Sequence, residues 1–201
     1  RTAIDAAKAA NVPKDNIERA IKKGSTNETN NLEEIKYEGF GPGGTSLIIE
    51  TMTDNKNRTI SEIRQIFSKN GGSIAENGSV SHSFKRRGEL IYKSEESLKN
   101  KIFDIAVDEG ADDVLVEDQN YIIYCDPKNI INIKERISKL SLEPLSVSLT
   151  WVSDNKVNIN KEVAEKLFLL IDQLEDNEDV QNISSNYDIS NEVFDTIDFD
   201  K

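Results

Sequence analysis

The chain has 201 residues and little of what catalysis usually needs: one cysteine, Cys125, and one histidine, His82. A single cysteine excludes an internal disulfide and suits a reducing compartment. One histidine and one cysteine cannot build a nitrogen- or sulfur-rich metal site between them. A Ser-His-Asp triad would have to use His82, and no nucleophile-elbow motif accompanies it. His82 lies between Val80 and Phe84 in an alternating stretch, which predicts a core-facing or edge histidine rather than a general base. No Walker A loop is present, and Asp112-Asp113 lacks the ligand spacing of an EF-hand. Aromatic residues make up 6% of the chain, with no aromatic-rich strand of the kind that stacks RNA bases. No apolar run approaches 18 residues, so no membrane span is expected. No metal, cofactor or small-molecule substrate is expected.

What is present is charge. Charged residues are 31% of the chain and the net charge is −12. Residues 1–90 hold 14 Lys/Arg against 12 Asp/Glu, whereas residues 91–201 hold 11 against 25. That asymmetry places any polyanion contact on the first half and leaves an acidic second half. The bland alternative is that the acidic surface serves solubility alone. The expected setting is the cytoplasm, or the mitochondrial matrix or a plastid in a eukaryote, and the expected oligomeric state is a monomer.

Residues 2–24 read as two helical pieces, the second opened by Pro13 and closed by Gly24. Residues 25–36 read as a polar linker. Gly39, Gly41, Gly43 and Gly44 then precede a strand at 46–52. A dinucleotide site needs its glycines after a strand and before a helix, so this is no cofactor loop. A polar turn at 53–57 leads into a helix at 58–69, with Ile60, Ile63 and Phe67 on one side. Asn77-Gly78 signals a turn, 79–84 alternates as a strand, Lys85-Arg86-Arg87-Gly88 interrupts, and the strand resumes at 90–92. A second unit follows: helical faces at 98–106 and 130–140, a hairpin of 114–116 with 121–125, and a half-buried strand at 145–151. A helix at 163–174 and a short strand at 180–184 close the pattern.

The first unit thus stops one helix and one strand short of a βαββαβ sandwich, and the last helix and strand would complete it. The fold class is α+β, with helices on one face of antiparallel sheets. The predicted domains are a helical remnant at 1–24, a linker at 25–36, an α+β domain of 36–94 plus 156–187, an inserted α+β domain at 95–155, and an acidic tail at 188–201.

Three cationic groups are candidates for phosphate contact. They are Lys14, Arg19, Lys22 and Lys23; Asn57, Arg58, Arg64 and Lys69; and Lys85, Arg86 and Arg87. Together they could neutralise several phosphates in a salt-sensitive, sequence-tolerant way. Lys85–Arg87 is the most pointed group, because consecutive cations repel one another unless an anion sits nearby. The competing interpretation of each group is an ordinary solvated helix face. Gly39, Gly41, Gly43, Gly44, Asp54 and Asn55 are candidate structural or contact loops.

The segments PKDNIERAIKKG (13–24), YEGFGPGG (37–44), TDNKNRT (53–59), FSKNGG (67–72), NGSVSHSF (77–84) and LIDQLEDNEDVQN (170–182) resemble the YebC/PmpR family, to which the mitochondrial translational activator of cytochrome c oxidase subunit I is related. The resemblance implies an N-terminal helical domain followed by two α+β domains, and no catalysis; with the layout above, these are expected to be ferredoxin-like α/β sandwiches, the third inserted in the second. It implies a DNA-binding transcriptional regulator, or a factor acting on translating ribosomes and their RNA. The leading expectation is a non-catalytic, DNA-binding regulator of transcription. The alternative is a ribosome-associated translation factor, and a third is a protein-interaction scaffold whose acidic half docks a basic partner.

Overall fold

The computed structural model describes residues 32–117, 119–194 and 196–197. The structure is mixed α and β with antiparallel main sheets, and its described residues divide into two units, 32–85 with 151–197 and 86–150. The expected helical remnant at 1–24, with Lys14, Arg19, Lys22 and Lys23, lies outside the described residues, as does most of the expected linker.

In the first unit, β1 (Glu33–Phe40) and β2 (Ser46–Thr53) form a hairpin whose register pairs Tyr37 with Ile49 and Glu38 with Ile48. Helix α1 (Lys56–Lys69) follows, then β3 (Ser73–Ala75), which pairs with β1. Late in the chain, the short β8 (Val157–Asn158) precedes α4 (Lys161–Glu175), which leads to β9 (Val180–Ser185); β9 pairs with β2, giving the sheet order β3-β1-β2-β9. Leu47, Ile48 and Ile49 are all fully buried, as a continuous apolar run requires when both faces of a strand are covered. Leu47 and Ile49 join Ile63 and Phe67 of α1 and Leu167, Leu170 and Leu174 of α4 in one core. Ile48 lies on the opposite face, under Val80, Phe84 and Trp151.

The caps explain where these helices start and stop. Asn55 accepts a bond from the Arg58 N–H at 3.1 Å, and Asn160 accepts one from Val163 at 3.0 Å, each satisfying a donor that the helix itself leaves open. Past the end of α1, the Gly72 N–H returns to the Phe67 carbonyl at 2.9 Å, a 6→1 bond that stops the helix.

The second unit runs β4 (Phe84–Lys93), α2 (Lys99–Asp108), β5 (Ala111–Glu117), β6 (Asn120–Cys125), α3 (Ile130–Ser138) and β7 (Ser146–Ser153), with sheet order β5-β6-β4-β7. Leu90, Tyr92, Tyr121 and Ile123 pack against Ile102, Ala106, Ile133 and Ile137 of the two helices.

Three sequence expectations change. Residues 33–36, assigned to the linker, are the first half of β1; their charges hid a strand that pairs on both edges. Residues 79–83 are not a strand: a turn and a short 3-10 segment, Ser81–Ser83, carry Val80 inward and lead to Phe84, the buried first residue of β4. Lys85, Arg86 and Arg87 do not interrupt a strand but lie inside β4, and Leu90–Tyr92 pair with β6 of the second unit, not with the first.

Candidate nucleic-acid interface

The turn before α1 leaves Asp54, Asn55 and Asn57 exposed, while the buried Thr53 and Thr59 turn inward. Asp179, at the entry to β9, collects Thr59 Oγ1 at 2.7 Å, Thr53 Oγ1 at 3.1 Å and Arg58 Nη2 at 2.9 Å. Arg58 also reaches Asp54 at 3.2 Å. The backbone closes the same knot, with Met52 N–H donating to the Asp179 carbonyl at 2.8 Å and Asn55 N–H to Thr53 Oγ1 at 2.9 Å. Burial would raise the Asp179 pKa, but the bonds from Thr59, Arg58 and Thr53 outweigh it and hold the carboxyl below its ordinary value. The same carboxylate raises the pKa of Arg58. Arg58, Asp54 and Asn55 therefore tie the start of α1 to the far end of the chain segment.

The glycine loop is likewise spent on the fold. Gly41 N–H donates to the Thr45 carbonyl at 2.8 Å, and Gly44 N–H to Gly41 at 3.3 Å. Gly43 has φ +70, and a Cβ there would stand 2.6 Å from Val163 Cγ1. A side chain on Gly39 would stand 2.6 Å from the Phe67 ring. These glycines allow β1, α1 and α4 to approach one another closely.

Sequence reasoning missed Glu38, whose 1% exposure makes it a buried carboxylate. It accepts N–H bonds from Gly78 at 3.0 Å, Val80 at 2.8 Å and Ser81 at 2.9 Å, and pairs with Lys36 at 3.2 Å. Burial pushes its pKa up, yet the backbone bonds win and hold it at about 2. The N–H groups of the 77–84 loop thus form an anion nest that is already filled from within. The only signal in the sequence was an acidic residue at an alternating position before a glycine. His82 belongs to the same loop, exposed, with Nδ1 3.2 Å from the Gly78 carbonyl, so it is not a core residue.

Among the triplet, Lys85 meets Asp154 at 2.5 Å and Arg87 meets Asp112 at 2.9 Å, and Arg86 is engaged as well. The chain itself thus supplies anions to Lys85 and Arg87. Alternation along β4 and the pairing of Lys85 and Arg87 explain how three cations are tolerated in sequence.

What remains open is the outer surface of α1. Asn57, Ser61, Arg64, Gln65, Ser68 and Lys69 are exposed there. Arg64 and Lys69 make no ion pair among the described residues. The helix carries four cations and one carboxylate, Glu62, which is itself bonded by Asn177 at 2.8 Å. No cluster of His, Cys, Asp or Glu suited to a metal ion occurs among the described residues. Cys125 is buried, with its thiol pushed up to about 11 by burial and by Asp112 and Asp126, which keeps it unreactive. No helix among the described residues is long and apolar enough to cross a membrane.

A family model described as the TACO1/YebC second and third domain matches residues 32–187. The chain belongs to the TACO1/YebC family. It is 43% identical over 197 residues to a probable transcriptional regulatory protein of Zymomonas mobilis, covering 98% of this chain and 79% of that protein. It is also similar to the crystal structure of a conserved hypothetical protein from Aquifex aeolicus, at TM-score 0.87 and 39% identity, covering 96% of this chain and 80% of that one. For this YebC-family chain the matched region begins at β1, so the strand that sequence reasoning took for a linker is part of the family fold.

Proposed function

We propose that the protein is a non-catalytic, nucleic-acid-binding regulator of gene expression that acts on DNA, in the cytoplasm and as a monomer, through the outer face of α1. One observation carries this: in an acidic protein, α1 presents a cationic face whose Arg64 and Lys69 have no ion-pair partner among the described residues. Hydroxyl and amide side chains at Asn57, Ser61, Gln65 and Ser68 lie between those cations and suit phosphate oxygens, which accept bonds without regard to base sequence. Asn57, Arg64 and Lys69 are the contact residues, with Arg58 holding the helix in place. The relative named as a probable transcriptional regulatory protein supports the same role. The architecture that accompanies it is an N-terminal helical domain before two ferredoxin-like sandwiches, one inserted in the other.

The test is the salt dependence of duplex DNA binding, measured by fluorescence anisotropy. Each lost phosphate contact lowers the slope of log affinity against log salt by about 1. Arg64→Glu with Lys69→Glu should weaken binding and flatten that slope by about 2. An unchanged slope, or binding to ribosomes with indifference to DNA, would reject DNA as the target.

A further inference from the structure

The second unit has a sheet face that, among the described residues, helices α2 and α3 do not cover, and we propose that this face docks a basic, aliphatic-rich segment of a protein partner. Leu90 and Tyr92 point into the core with α2 and α3, so Ile91 between them points the other way. Strand register extends that side into rows. Ile91 pairs with Ile122, and Ile122 with Leu115, forming an aliphatic row across three strands. All three are partly exposed, and none belongs to a buried core cluster. On one side of this row lie Glu89, Tyr124 and Asp113; on the other lie Lys93, Asn120 and Glu117. The rim is thus three carboxylates against one ammonium. Ser148 on β7 donates to Glu89 at 3.2 Å, which fixes that carboxylate on this face.

Charge decides the occupant. Three carboxylates repel a phosphate backbone, and Tyr124 is the one aromatic ring in these rows, too few to stack successive bases. The same carboxylates oppose a second copy of this face. A segment alternating aliphatic and Lys/Arg side chains satisfies both parts: aliphatic groups cover Leu115, Ile122 and Ile91, and the cations reach Glu89, Asp113 and Glu117. Three strands span roughly 10 Å, about the width of one helix. Lys93 at one corner favours a segment whose cations crowd toward β5.

The probe is a synthetic 14-residue Leu/Lys amphipathic peptide added to the 15N-labelled protein and followed by amide chemical shifts. A matched Leu/Glu peptide and a single-stranded oligonucleotide serve as controls. Shifts should concentrate at residues 89–93, 113–117 and 120–124, and weaken with salt. Asp113→Lys with Glu117→Lys should lower the affinity about tenfold while the circular dichroism spectrum stays unchanged. Mapping on the unmodified protein stands on its own if that variant folds poorly. The proposal is overturned if the Leu/Lys peptide shifts residues elsewhere, if the Leu/Glu peptide binds equally well, or if the oligonucleotide moves these same amides.

Discussion

Helices α1 and α4 pack on one face of the same sheet and bury similar stripes: Ile63 and Phe67 in one, Leu167, Leu170 and Leu174 in the other. Their outer faces differ in sign. Helix α1 carries four cations and one carboxylate, whereas α4 carries two cations and four carboxylates. The cations of α4 are also answered within the helix, Lys166 by Glu162 at 2.8 Å and Lys161 by Glu165 at 3.8 Å. Packing fixes only the inward stripe, so it cannot explain the outward difference. A solvated helix face at no cost to solubility would look like α4, with alternating signs at i and i+4. Helix α1 departs from that pattern, and the departure is what points to an anionic partner.

The comparison gains force if paired charges and unpaired charges fail in different ways. The largest effect is expected at Glu38, the most buried carboxylate among the described residues. Its drop from 4.5 to about 2 is worth about 3 kcal/mol of folding stability. Because the folded pKa lies below the unfolded one, that stability is complete above about pH 4.5 and disappears as the pH falls toward 2. Urea unfolding of Glu38→Gln at pH 7 should show nearly the whole loss, and the gap from the unmodified protein should close by about pH 2. A gap that persists there would mean that shape, not charge, anchors the 77–84 loop. A smaller loss, about 2 kcal/mol, is expected for Asp179→Asn, which removes the acceptor shared by Thr53, Arg58 and Thr59. Removing the partner, Arg58→Gln, should also lower the unfolding midpoint. Were Arg58→Gln to leave stability intact and instead abolish DNA binding, Arg58 would move to the contact residues.

Much of the secondary structure was legible because it follows periodicity. The stripe of Ile63 and Phe67 and the 46–52 run mark elements that are present, and a strand does occupy 146–153, although Leu145 and Leu149, expected on its buried side, are exposed. What was illegible depended on partners distant in sequence. Strand β1 reads as polar because Glu33, Glu34 and Lys36 lie outside the core, and only pairing with both β2 and β3 reveals it. The serines of the 77–84 loop mimic strand alternation, while the loop is held by Glu38, some 40 residues earlier. Cations are visible in any sequence, but their partners are not. Nothing local announces that Arg58 belongs to Asp179, that Lys85 belongs to Asp154, or that Arg64 and Lys69 have no such neighbour among the described residues.

That last distinction yields the finest test, a pair of charge reversals read by binding and stability together. Arg64→Glu with Lys69→Glu on α1 should lower DNA affinity about tenfold or more at moderate salt, with an unfolding midpoint close to that of the unmodified protein. Reversal on the neighbouring helix, Glu165→Lys with Glu162→Lys, changes the net charge by the same amount in the opposite sense. It breaks exposed i, i+4 pairs worth only about 0.3–0.5 kcal/mol each, so stability should barely move. If binding depended only on overall charge, this α4 variant would bind DNA more tightly by a similar factor. If the site is the face of α1, its affinity should rise by less than about threefold, the share owed to long-range attraction screened over a Debye length of about 10 Å. Equal and opposite changes from the two helices would make the asymmetry a matter of net charge and remove α1 from its special place.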